Sequence, residues 1–175
     1  MRAAIDAGAD VIVKIDGDGQ MDPSLIEKFV APIRSTRADF TKGNRFYQLG
    51  YLRGMPMSRV IGNAGLSFLS KLSSGYWSVM DPTNGYLAIH AKVARAMPLE
   101  QLSKGYFFES DLLFQLNLLR AVIEDIPMSA VYQDEVSNLS ISGALAQFSY
   151  LHLTRLFKRV FYNYYLRDMS LASIE

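Results

Sequence analysis

An α/β layer fold follows from three features of the sequence. A β-branched run, Val11-Ile12-Val13-Lys14-Ile15, ends in a cluster of acids and glycines, Asp16-Gly17-Asp18-Gly19-Gln20. Apolar residues then recur at helical spacing, first in Leu25, Ile26, Phe29, Val30 and Ile33, then in Val60, Ile61, Ala64, Phe68 and Leu72. Between these stretches stand short apolar runs of strand length. Strands that alternate with helices along a chain pack as helices on a sheet.

Taken in order, residues 2–8 read as the end of a helix stopped by Gly8. Residues 10–15 form a strand whose composition suits cover on both faces. Asp22 caps the next helix, with Pro23 at its first position. Residues 38–42 form a short strand, and a loop rich in glycine and arginine follows to about Gly54. Residues 58–72 are helical. Short strands at 76–80 and 86–90 flank the turn Asp81-Pro82-Thr83-Asn84-Gly85. Residues 92–97 make a short helix, 110–121 a longer one, and 122–132 contain a strand. His90, His152, Trp77 and the eight methionines read as structural, in the core or at interfaces.

At 175 residues the chain is one domain by length, with the ordinary composition of a globular protein: half apolar and a fifth charged. A net charge of +1 offers no whole-protein attraction to nucleic acid. The absence of cysteine excludes a disulfide framework and any cysteine-based metal site or nucleophile. Residues 1–10 hold no apolar core of signal-peptide length. No segment reaches the roughly 18 apolar residues of a membrane span.

The acidic cluster carries the chemistry. Its glycines let the backbone turn sharply, so Asp16 and Asp18 point their carboxylates the same way. Paired hard oxygens at a strand end suit a divalent cation that also holds phosphates. An ordinary acidic turn is the simplest alternative. A calcium loop would use acids at the first, third and seventh positions with Glu27 at the twelfth. Met21 stands where that loop needs glycine, and Pro23 follows, so this reading is rejected. A phosphatase-type Asp-x-Asp would make Asp16 the nucleophile and Asp18 the acid, although Gln20 replaces the expected small hydroxyl residue. The remaining reading is the Asp-x-Asp of a nucleotide-sugar transferase.

The C-terminal stretch 143–169 interleaves aromatic residues with Arg155, Lys158, Arg159 and Arg167. On a long helix that pattern suits a membrane interface. It equally suits an amphipathic helix packed on its own domain or on a partner. Nucleic acid, which also favours interleaved rings and cations, is disfavoured because no basic excess exists elsewhere.

Four further motifs follow the acidic cluster: Gly43-Asn44-Arg45-Phe46, Arg59 opening a helix, Asp81-Pro82-Thr83-Asn84-Gly85-Tyr86, and Gly105-Tyr106-Phe107-Phe108-Glu109-Ser110-Asp111. In this order they resemble the family 2 glycosyltransferases of GT-A fold. The likeness is strongest to the polyprenyl-phosphate branch, such as dolichyl-phosphate mannose synthase and the undecaprenyl-phosphate glucosyltransferases. The resemblance spans nearly the whole chain. It implies that Asp16, Asp18 and Gln20 hold Mg²⁺ or Mn²⁺ on the donor diphosphate, and that Arg45 and Arg59 contact donor and acceptor phosphates. It also implies that Asp81 faces the acceptor as base or orienting group, and that Glu109 and Asp111 lie around the acceptor or base. Taken alone, the arginines read as solvated charges, Asp81 as a turn aspartate, and Glu109 and Asp111 as complements to a helix dipole.

The family opens with a strand ending in Pro-x-Tyr-Asn-Glu or similar, then a helix and a second strand that build the nucleotide pocket. Residues 2–8 resemble the end of the helix just before the metal strand. The expectation is therefore a GT-A-like nucleotide-diphospho-sugar transferase fold, incomplete at the N-terminus, over residues 1–139. An amphipathic interface helix would occupy 140–175, beyond which many members of the branch continue into membrane spans. The implied function is inverting transfer of a hexose from a nucleotide sugar to a dolichyl or undecaprenyl phosphate at the cytoplasmic face of a membrane. Rivals are a family 2 enzyme with a saccharide acceptor, a haloacid-dehalogenase-type phosphohydrolase, for whose downstream acid pair Asp134-Glu135 is a poor candidate, and a non-catalytic membrane-associated module. The saccharide enzyme usually carries a Gln-x-x-Arg-Trp signature after the acidic pair, and this sequence has none.

Overall fold

The computed structural model describes residues 1–19, 21–47, 57–129 and 141–167, with side chains in these segments except at 57–61, 63, 106 and 141–146. Four strands form one sheet: β1 (Val11–Lys14), β2 (Phe40–Asn44), β3 (Leu87–His90) and β4 (Ile123–Pro127). Their spatial order is β1-β3-β2-β4. β3 runs antiparallel to both β1 and β2, while β2 and β4 are parallel. The helices are α1 (Arg2–Asp6), α2 (Ile26–Arg34), α3 (Met57–Ser74), α4 (Ala91–Ala96), α5 (Phe108–Leu118) and α6 (Ile141–Val160). α6 continues as a π-helical segment, Phe161–Arg167.

Alternation along β3 divides the core. Leu87 and Ile89 join Ile12, Phe40, Leu112, Leu113 and Leu116 on one face of the sheet. Tyr86 and Ala88 join Phe29, Ile33, Ile126 and Met128 on the other. There Phe29 and Tyr86 stack with ring centroids 3.9 Å apart. The layered α/β expectation is met. In β1, by contrast, only Ile12 is fully buried, because β1 is the end strand of the described sheet.

Local signals behave as their chemistry requires. The Asp22 side chain accepts from the Ser24 amide and caps a single 3-10 turn, with Pro23 at its start, that leads into α2. Phe29 and Ile33 of the anticipated α2 stripe are buried, whereas Ile26 is exposed. His90 Nδ1 accepts from the Lys92 amide and caps α4.

Two expectations are corrected. Residues 76–80 are not a strand. Their polar groups are satisfied by other means: the Met80 amide donates to Asp125, Ser67 donates to the Met80 carbonyl, and the Tyr76 hydroxyl donates to the Ala121 carbonyl. Trp77 and Met80 are exposed rather than in the core. The buried face of α3 also differs. Ser67, Ser70, Ser73 and Ser74 are buried, whereas Ala64 and Phe68 are exposed; the side chains of Val60 and Ile61 lie outside the described residues. Small residues let α3 approach α5 and α6 closely. Ser73 and Ser74 return their hydroxyl protons to the Ser70 carbonyl, which satisfies them within the helix. Phe68 meets Trp77 edge to face instead.

One face of α6 packs on the domain. His152 is buried with Nδ1 2.8 Å from Ser73 Oγ, and burial pushes its pKa down to about 4, so the ring is neutral. Arg159 donates to the carbonyls of Leu72 and Ser73. Arg155 reaches Asp111 of α5 with two bonds of 2.6 and 3.1 Å. The other face, with Tyr150, Leu153, Phe157, Phe161 and Tyr164, is exposed. Among the described residues no helix is long and apolar enough to cross a membrane.

The Asp111 carboxylate is wholly buried and Arg155 pairs with it as its cation. Removing that cation leaves an unpaired charge inside the protein. Arg155→Met is therefore expected to lower unfolding stability by about 3–5 kcal/mol, measured by urea denaturation, with Arg155→Lys losing less.

Candidate active site

β1 ends at Lys14 and the chain enters the acidic turn, in which Gly19 adopts φ +75°. Lys14 and Asp16 are two residues apart, so strand alternation puts them on one side. The Lys14 ammonium donates to Asp16 Oδ1 at 2.6 Å, to Glu109 Oε1 at 3.2 Å and to the Gly85 carbonyl at 3.4 Å. Burial pulls its pKa down, but the bonds and charges of Asp16 and Glu109 outweigh this and hold it above the ordinary lysine value.

Gly85, just before β3, closes the other side of Asp16. A Cβ on Gly85 would stand 1.8 Å from Asp16 Oδ2, so any larger residue here would push the carboxylate aside. Asp18 lies in the exposed part of the turn. Gln20 lies outside the described residues.

Asp81 is completely buried in the turn before β3. It accepts from Arg45 Nε at 2.6 Å, Arg45 Nη2 at 2.9 Å and the Arg45 amide at 3.2 Å. The guanidinium is gripped as a fork, which fixes its plane. Asn84 donates to the same carboxylate and accepts from the Tyr86 amide. Beneath this turn the fully buried Lys42 donates to the Asn84 carbonyl at 2.5 Å. Burial drives its pKa down to about 8, against the pull of Glu109, Asp81 and Asp125. Asp125 on β4 accepts from Asn44 and the Met80 amide, while its other oxygen is buried without a hydrogen bond. Burial raises its pKa.

The acidic pair at the start of α5 is split. Glu109 faces Lys14 and the Asp16 turn. Asp111 points to α6, and both its oxygens are engaged by Arg155 and by the amide and hydroxyl of Ser103. The structure thus brings Asp16 and Glu109 together through Lys14, and Asp81 and Arg45 into one pair, but it turns Asp111 away from them. The Arg59 side chain and Asp134-Glu135 lie outside the described residues.

Lys14, Lys42 and Asp125 were not singled out in the sequence. Lys14 carried a usable signal, a cation two residues before Asp16 in a strand. Lys42 and Asp125 carried none, because their partners are distant in sequence. Among the described residues no three histidine, cysteine, aspartate or glutamate side chains gather as a metal set. Two carboxylates in an open turn do fit an ion that takes the rest of its shell from phosphate and water. Asp16 already draws a cation, the Lys14 ammonium, to 2.6 Å.

Solved structures define the class of fold. Glucosyl-3-phosphoglycerate synthase from Mycobacterium tuberculosis, in complex with Mn²⁺, UDP-glucose and phosphoglyceric acid, matches with a TM-score of 0.61 and 19% identity, over 90% of this chain and 52% of that one. Its complex with UDP gives a TM-score of 0.60. The fold is GT-A.

Sequence relatives narrow the likeness. A UDP-N-acetylglucosamine–dolichyl-phosphate N-acetylglucosaminyltransferase of Methanococcus voltae is 28% identical over 134 residues, 77% of this chain and 53% of that protein. An undecaprenyl-phosphate mannosyltransferase of Micrococcus luteus is 29% identical over 155 residues, 88% of this chain and 62% of that protein. No protein-family profile matches the chain. These findings bear out the resemblance to the polyprenyl-phosphate branch of the family 2 glycosyltransferases. The chain spans about half the length of several curated relatives it matches.

A lysine pKa held near 8 in the folded protein and at its ordinary 10.5 in the unfolded chain disfavours folding below pH 8. That cost fades as pH rises from 8 to 10.5, because the folded protein sheds the Lys42 proton first. The wild type is expected to gain stability relative to Lys42→Met across this window, as read from urea midpoints at successive pH values.

Proposed function

We propose that the protein is a metal-dependent, inverting glycosyltransferase that moves a hexose from a nucleotide sugar to a polyprenyl phosphate at the cytoplasmic face of a membrane. One observation carries this reading. The Asp16–Asp18 turn sits at the end of β1 against Gly85, within a GT-A fold whose sequence relatives are named for dolichyl- and undecaprenyl-phosphate acceptors.

Asp16, Asp18 and Gln20 would hold Mg²⁺ or Mn²⁺, which neutralises the departing nucleoside diphosphate. The chain's own residues do the positioning. Arg45 presents a guanidinium whose plane Asp81 fixes, suited to a phosphate oxygen, and Arg59 supplies a second such donor. Asp81, saturated by Arg45 and Asn84, acts by orienting Arg45. An acceptor phosphate oxygen attacks the anomeric carbon from the face opposite the diphosphate. The new C–O bond forms as the old one breaks, and the leaving diphosphate keeps the electron pair. The acceptor phosphate is already ionised near neutral pH, so no base has to remove a proton. Glu109 lies nearest the Asp16 turn, while Asp111 holds α6 in place.

The exposed rings of α6 and the π-helical segment, with Lys158 and Arg167 among them, support docking on an anionic membrane surface. Residues 1–139 would then be the catalytic portion and 140–175 the interfacial helix.

The test is a transfer assay on the full-length protein with UDP-glucose, UDP-N-acetylglucosamine or GDP-mannose, undecaprenyl phosphate, and Mg²⁺ or Mn²⁺. The expected outcome is a sugar-linked polyprenyl phosphate. Asp16→Asn and Asp18→Asn should each cut turnover at least about a hundredfold, equivalent to about 2.7 kcal/mol. Product formation that both variants leave unchanged, or release of inorganic phosphate in its place, would overturn the reading.

A further inference from the structure

The Lys14 ammonium stands among the acids of the site, and the proposed chemistry gives it no task. Its three bonds go to Asp16, Glu109 and the Gly85 carbonyl, which accounts for all three of its protons. Resting on the metal-dependent reading above, we infer that Lys14 is the cation that holds Asp16 and Glu109 together in the metal-free site, and that a divalent ion must displace it from Asp16 to bind.

Both oxygens of Asp16 have close neighbours. Gly85 backs its Oδ2 so closely that a single added carbon would collide, while the ammonium lies in contact with Oδ1. An ion joining this carboxylate therefore arrives beside a positive charge, and the two repel. The ammonium is the group that yields. The lysine side chain can move: it is 31% exposed, on a flexible four-carbon stem. Glu109, 13% exposed, remains as its second acceptor. Lys14 is thus a positioning residue: it keeps two like charges together until the ion binds and sets how tightly the ion is held.

Mn²⁺ titration followed by electron paramagnetic resonance of the free ion, at fixed pH and salt, tests this on the wild type, Lys14→Met, Lys14→Gln, Lys14→Arg and Asp16→Asn. Circular dichroism identifies which variants fold. Lys14→Met and Lys14→Gln are expected to bind Mn²⁺ about tenfold more tightly than the wild type, because the competing charge is gone. Lys14→Arg, which keeps the charge, should stay near the wild type. Equal or weaker binding in both neutral variants overturns the inference. If Asp16→Asn weakens binding while the neutral variants do not strengthen it, the inference falls alone. If Asp16→Asn also leaves Mn²⁺ affinity unchanged, the metal reading falls with it.

Discussion

β3 runs antiparallel between β1 and β2, and this brings the backbone of Gly85 against the Asp16 carboxylate. The rest of the site is arranged around that contact. The turn that precedes β3 carries Asp81 and Asn84 in the same few residues, so the register that seats Asp16 also delivers the partner of Arg45. The pairing Lys14↔Leu87 sets how far the turn projects beyond the sheet. A slip by one residue would send Tyr86 and Ala88 to the wrong face and break both halves of the core.

Charge balance follows from the same packing. Asp81, Glu109 and Asp125 surround a lysine on β2 that has no access to water, and that lysine holds up the Asn84 carbonyl. A buried ammonium is costly, yet here it supports the turn from below while Arg45 grips it from the side. The downward shift of the Lys42 pKa reflects that cost. Its position under the turn explains why a charged residue occupies an inward strand site at all.

Much of this was legible in the sequence, and the failures share a cause. The strand–acid–glycine pattern at 11–19, the Asp22-Pro23 helix start and the turn before β3 are local signals, and the structure places all three near where they were read. Residues 76–80 look like a strand by composition, but Asp125, Ser67 and Ala121 satisfy their polar groups from outside the segment. The α3 stripe was read on its bulky residues, whereas close packing against α6 selected its serines. Glu109 and Asp111 are indistinguishable by spacing. Only the position of Arg155, 44 residues on, separates the acid that faces the site from the acid that anchors a helix. α6 packs one face on the domain and leaves rings exposed on the other.

The central claim is that the Gly85 backbone seats Asp16 as part of a divalent-ion site. Amide line broadening by Mn²⁺ in a ¹⁵N-labelled sample tests it most directly. The account predicts that Mn²⁺ broadens Gly17, Asp18, Gly19 and Gly85 while the amides of α6 stay sharp. It further predicts that Gly85→Ala, which forces the Asp16 carboxylate aside, abolishes the broadening without disturbing the rest of the spectrum. Broadening centred elsewhere, or broadening that survives unchanged in Gly85→Ala, would contradict it.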